Sequence, residues 1–229
     1  MIKKLNHKTK NFWEKKASDL IWKKPFEQVF KFKKSYSHEW FLNGKINIYE
    51  NLIEKNLLIN PNKIGITCIN KNKEITEYSY KKIDILVKNF KKIILNFFAK
   101  KKIKRLMIHA SASEESFVSM LVCSKLGIEF SVLFENLESE AILNRIYIFK
   151  PDIFLTRLKK NFFNNKNINC LKEIKKNTRL VFFEDLSKRT KIKITNKKKY
   201  NYVVDSNKNF FTLFTSGSTG QPKGICHNV

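Results

Sequence analysis

From residue 64 to residue 183 the chain alternates short apolar runs with longer stretches whose apolar residues return every three or four positions. No other feature restricts its fold as much. Residues 64–69, 106–110, 130–134, 153–155 and 180–183 are too short for helices and rich in β-branched and aromatic side chains, so they read as strands, with 64–69 a short buried one. Between the first two, Ile83, Leu86, Val87, Phe90, Ile93, Ile94 and Phe97 line one face of an amphipathic helix with lysines on its wet side. Ser111 followed by Glu114 resembles a capping box that opens a second helix through Phe117, Met120, Leu121 and Ser124, stopped at Gly127. A third helix runs from about Glu138 to Phe149 and ends ahead of Pro151. Strands that alternate with helices need crossover connections. The expected class is therefore α/β, with a mostly parallel sheet and flanking helices. In such sheets ligands bind at the carboxyl ends of the strands.

Residues 1–50 lack this pattern. Trp13, Trp22, Phe26, Trp40 and Phe41 follow no period, which predicts an irregular aromatic arm (1–50) docked on a core (51–229). Residues 159–179 and 187–201 are rich in Lys and Asn and read as surface loops or an exposed helix.

Charge alone does not name a partner. Lys and Arg total 46 against 20 Asp and Glu, a net charge of +26. The excess is mostly Lys and spread along the whole chain, beside abundant Asn, Ile and Phe. Coding in an A/T-rich genome produces that profile, and no nucleic-acid-binding signature accompanies it, so no specific nucleic-acid partner is expected. Cys68, Cys123, Cys170 and Cys226 form no C-x-x-C pair and His is scarce, so neither a metal site nor a disulfide framework is expected. Three of the four lie beside apolar residues and read as small packed hydrophobes, which suits a cytoplasmic setting. No apolar run nears the about 20 residues needed to cross a bilayer, and no membrane partner is expected.

The strongest chemical signal lies at the end. An apolar strand, 210–214, runs straight into Thr215-Ser216-Gly217-Ser218-Thr219-Gly220-Gln221-Pro222-Lys223-Gly224. Glycines let backbone N–H groups approach an anion closely. Four hydroxyls can donate to phosphate oxygens, Lys223 adds a cation, and Pro222 stiffens the turn. The spacing is not that of a Walker A loop. A Ser/Thr/Gly cluster of this composition could be a linker, but in this order after an apolar strand it reads as a phosphate loop.

This string resembles the phosphate loop of the adenylate-forming enzymes, and earlier segments narrow the likeness. Trp40-Phe41 through Asn47, with Asn51-Leu52, is similar to the W-F-x-G-G-x-L-N…N segment of acetyl-CoA synthetases, and Ile21-Trp22 through Val29 resembles their upstream arm. Residues 119–127 and 131–134 look like their A-M-L-A-C-A-R-I-G and S-V-V-F, followed by Arg145-Ile146. The resemblance implies that the chain maps to the front of the large domain of an AMP-forming acetate–CoA ligase. ATP with Mg²⁺ would be used, and Thr215, Ser216, Gly217, Ser218, Thr219, Gly220 and Lys223 would hold the ATP phosphates. The small-molecule substrates implied are ATP and a short-chain carboxylate.

Two departures count against carrying CoA binding over. Glu135-Asn136-Leu137 stands where the synthetases have G-G-F, and Arg157-Leu158-Lys159-Lys160-Asn161 lacks the glycines of their CoA-binding stretch. The family's acyl pocket, adenine site and catalytic lysine lie further along than Val229. The expectation is a chain without acyl-activating turnover by itself, and no catalytic residue is assigned. Acetoacetyl-CoA or propionyl-CoA synthetase, a basic nucleic-acid-binding protein and a bare nucleotide-binding module stay open as alternatives.

Overall fold

The computed structural model describes residues 5–34, 37–98, 102–158, 168–187, 202–216 and 221–229. The first fifty residues are more regular than the sequence suggests. Helix α1 (His7–Ser18) starts where the Asn6 side chain accepts the Thr9 N–H. Strand β1 (Trp22–Lys24) follows, then a hairpin of β2 (Gln28–Lys34) and β3 (Ser37–Leu42), then β4 (Lys45–Ile46). The aromatic residues lack a period because they meet across elements. Phe30 faces Trp40 across the hairpin at 5.2 Å, Trp40 meets Trp13 of α1 at 5.6 Å, and Trp22, Phe26 and Phe41 form a second cluster.

A π-helical turn (Glu50–Glu54) runs into α2 (Lys55–Ile59). Strands β5 (Ile64–Ile69) and β6 (Ile75–Ser79) make a separate antiparallel pair. This corrects the expectation of a buried strand at 64–69. Ile64 and Ile69 are exposed, because β5 pairs only with β6 and stands outside the main sheet.

The core comes next: α3 (Tyr80–Phe98), β7 (Arg105–His109), α4 (Glu114–Leu126), β8 (Glu129–Leu133), α5 (Ser139–Phe149) and β9 (Ile153–Thr156). Then come α6 (Ile168–Asn177), β10 (Arg179–Phe182), α7 (Phe183–Ser187), β11 (Val204–Asp205), β12 (Asn209–Thr215) and β13 (Lys223–Asn228). The main sheet has the order β10-β9-β7-β8-β12-β13, parallel except for the last pair. The α/β expectation with a mostly parallel sheet holds.

Both faces of this sheet are covered, so its central strands are apolar on each side rather than alternating with polar residues. Leu106, Ile108, Ile153 and Leu155 pack with Ile83, Val87 and Ile94 of α3 and Val122 and Leu126 of α4. Met107, Leu133 and Phe154 point the other way, against Ile142 and Ile146 of α5 and Ile174 of α6. Burying one such side chain stabilises the fold by about 1.5–3 kcal/mol.

The expected capping box at Ser111 and Glu114 is not formed. The cap residue is Ser113, its side chain makes no cap bond, and Ser116 Oγ instead donates to the Ser111 carbonyl. The helix does stop at Gly127, which takes a left-handed conformation with φ 61°. Within 159–179, residues 168–177 form α6, whose Ile174 is fully buried, so this segment contributes to the core as well as the surface. Residues 159–167 and 188–201 lie outside the described residues.

Candidate phosphate-binding site

The site is a hairpin at the carboxyl edge of the sheet. β12 leaves the parallel sheet beside β8, with Phe211 in register with Phe130. β13 returns antiparallel along its outer side, from Thr215↔Lys223 to Phe211↔His227. This return strand was not foreseen, since Lys223 to Asn228 has no apolar alternation and all six residues are exposed. Its order comes from the ladder and from Phe211, whose ring stacks on His227 at 4.5 Å.

Three side chains hold β12 in place. Arg145 of α5 lies over the Phe214 ring at 5.6 Å while its guanidinium donates to the Ala141 carbonyl. On the same strand, Thr212 Oγ1 donates to Glu129 at 2.9 Å. Phe210 meets Phe130 edge-on at 5.2 Å.

Of the expected loop residues, Thr215, Ser216 and Lys223 are described, and all three are exposed. Thr215 ends β12 and Lys223 begins β13, opposite one another, so their side chains leave the same face of the hairpin. Thr215 Oγ1 makes a long contact, 3.5 Å, with the Lys223 carbonyl. Gly217, Ser218, Thr219 and Gly220 lie outside the described residues. The arrangement presents hydroxyls and an ammonium where the parallel sheet ends, a donor set suited to an oxyanion.

Two further positions bear on the expectation about CoA. Glu135 is exposed in the turn between β8 and α5. Arg157 is held by Glu115 at 2.7 Å, so its charge is already partnered.

His109, at the carboxyl end of β7, is fully buried. Its Nδ1 lies 2.9 Å from Thr156 Oγ1, which also accepts the Leu158 N–H. Burial lowers its pKa to about 4, against a smaller opposing pull from Glu135, so the ring is neutral at pH 7. It is a core histidine and not part of the loop. Among the cysteines, Cys123 is buried, Cys68 and Cys170 are half-buried and Cys226 is exposed on β13. Among the described residues there is no group of three or more His, Cys, Asp or Glu that could hold a metal, and no helix long and apolar enough to cross a membrane.

Comparison with known proteins identifies the family. Residues 1–52 match the family model described as acetyl-coenzyme A synthetase N-terminus, and residues 54–229 match the AMP-binding enzyme model. The chain is 28% identical over 256 residues to acetyl-coenzyme A synthetase of Helicobacter acinonychis (strain Sheeba), covering 100% of this chain and 38% of that protein. It is 26% identical over 240 residues to the enzyme of the same name from Wolinella succinogenes, covering 95% and 36%. Among solved structures, acetoacetyl-CoA synthetase from Streptomyces lividans superposes with a TM-score of 0.76 at 15% identity, over 96% of this chain and 36% of that one, which shows a shared fold. The chain thus spans little more than a third of the length of these relatives. It belongs to the AMP-binding enzyme family, with an acetyl-coenzyme A synthetase amino-terminal segment leading into the front of the AMP-binding region.

Proposed function

We propose that this chain supplies the ATP-phosphate-binding part of an AMP-forming acetate–CoA ligase, in which acetate attacks ATP to give an acetyl-adenylate and pyrophosphate before transfer to CoA. The observation that carries the reading is the β12–β13 hairpin, with Thr215 and Lys223 opposite one another at the carboxyl end of the sheet. In this reading the hydroxyls of Thr215 and Ser216 donate to phosphate oxygens and Lys223 neutralises their charge, with Gly217, Ser218, Thr219 and Gly220 completing the cradle. The loop offers no carboxylate, so Mg²⁺ would be carried on the phosphate oxygens, where it supplies charge neutralisation. CoA contacts are not assigned to this chain, because Glu135 sets a carboxylate beside the carboxyl edge and Arg157 is taken by Glu115.

Adenylation needs acetate, the α-phosphate and stabilising donors held together, and that positioning supplies much of the rate. The residues here reach the phosphates only. The 229-residue chain by itself should therefore bind ATP without turning it over. Calorimetric titration with ATP, paired with an ATP–pyrophosphate exchange assay, tests both halves. Saturable binding without acetate-dependent exchange is expected. Exchange above background, or no ATP binding at all, contradicts the reading.

A further inference from the structure

At the opposite, amino-terminal edge of the sheet, an open cavity of about 600 Å³ lies between the starts of β9 and β10 and the ends of α5 and α6. We infer that this cavity is a second anion site, one that takes a phosphate-bearing small molecule independently of the loop after β12.

Its walls bring Arg105, Lys150, Lys175 and Lys176 to one opening. Arg105 is steadied over the Phe149 ring at 5.8 Å. Among the described residues Asp152 is the only carboxylate in the lining, and its Oδ2 accepts the backbone N–H groups of Lys104 and Arg105 at 2.8 and 3.1 Å. Helices α5 and α6 end here, and each adds about half a negative charge from its last carbonyls. The cations more than offset that.

The second observation is Thr178. It is only 8% exposed, it lines the cavity, and its buried hydroxyl has no hydrogen-bond partner in the protein. A buried hydroxyl without a partner is disfavoured, and a phosphate oxygen in the cavity would accept its proton. Ile103, Pro151 and Ile153 give the cavity a dry wall, and its volume falls in the range of small-molecule sites.

Calorimetric titration of the full chain with pyrophosphate and with ADP tests this, using Lys223→Gln as background so that binding at the β12 loop is about tenfold weaker. One saturable site per chain is expected in that background. Lys175→Glu with Lys176→Glu should weaken it at least about tenfold. Thr178→Val, which removes the hydroxyl and keeps the shape, should weaken it about fivefold. The same charge change elsewhere, Lys81→Glu with Lys82→Glu on α3, should change it less than about twofold. Tighter ADP than pyrophosphate would identify a nucleotide, and equal affinities free phosphate groups. No saturable binding, or equal weakening by the two double variants, would overturn the inference and leave general attraction to a basic chain.

Discussion

Thr215 and Lys223 stand opposite one another at the mouth of the β12–β13 hairpin, so a hydroxyl and an ammonium leave the same face where the parallel sheet ends. Because Lys223 is exposed, its charge is not used to hold the fold. Lys223→Gln should weaken ATP binding about tenfold, the scale of one charge-assisted contact. Its melting temperature should match that of the unsubstituted chain, which a thermal melt checks alongside the titration.

Among the left-handed residues of the described chain, one is a glycine. Gly127 closes α4 with φ 61°, and a Cβ there would lie 2.7 Å from Val204 Cγ1. Gly127→Ala should cost about 1–2 kcal/mol from the backbone conformation alone, and more if Val204 cannot move. Urea denaturation measures the loss.

His109 makes stability depend on pH. Its folded pKa of about 4 lies below the ordinary value of 6.5, so the unfolded chain binds the extra proton between these values. The stabilisation is complete above pH 6.5 and is lost as pH falls toward 4. Between pH 7 and pH 5 the loss from this group is about 2 kcal/mol. His109→Gln should lose that much less than the unsubstituted chain when urea midpoints are compared at the two pH values.

The first fifty residues are tied to the segment before β12 by an asparagine. Asn207 accepts the Trp40 N–H at 3.2 Å and donates to the Trp40 carbonyl at 3.1 Å, imitating a strand partner. Asn207→Ala leaves both backbone groups short of a partner, at a cost of about 1–3 kcal/mol. Limited proteolysis should then cut within residues 1–50 sooner.

The parts visible in the sequence are those set by local chemistry. Apolar runs gave the central strands, the three-and-four spacing gave α3, and Gly127 gave the end of α4. The ordered Thr215-to-Gly224 string marks the candidate site by itself. What escaped depends on long-range partners. β13 carries no apolar signal and exists because β12 offers it an edge. Residues 64–69 look like a core strand but find only β6, and the aromatics of the arm meet across three elements. Asn207 sits in a polar stretch with nothing to distinguish it until Trp40 lies beside it.

The most direct test of the central claim is protection of Lys223. The chain would be treated with an amine-reactive reagent at rising ATP concentration, and modification of Lys223 compared by mass spectrometry with that of Lys82, an exposed lysine of α3. Saturable protection of Lys223, with Lys82 modified at a constant rate, is the predicted result. Equal modification of both lysines at every ATP concentration would contradict the account of the β12–β13 hairpin as a phosphate-binding site.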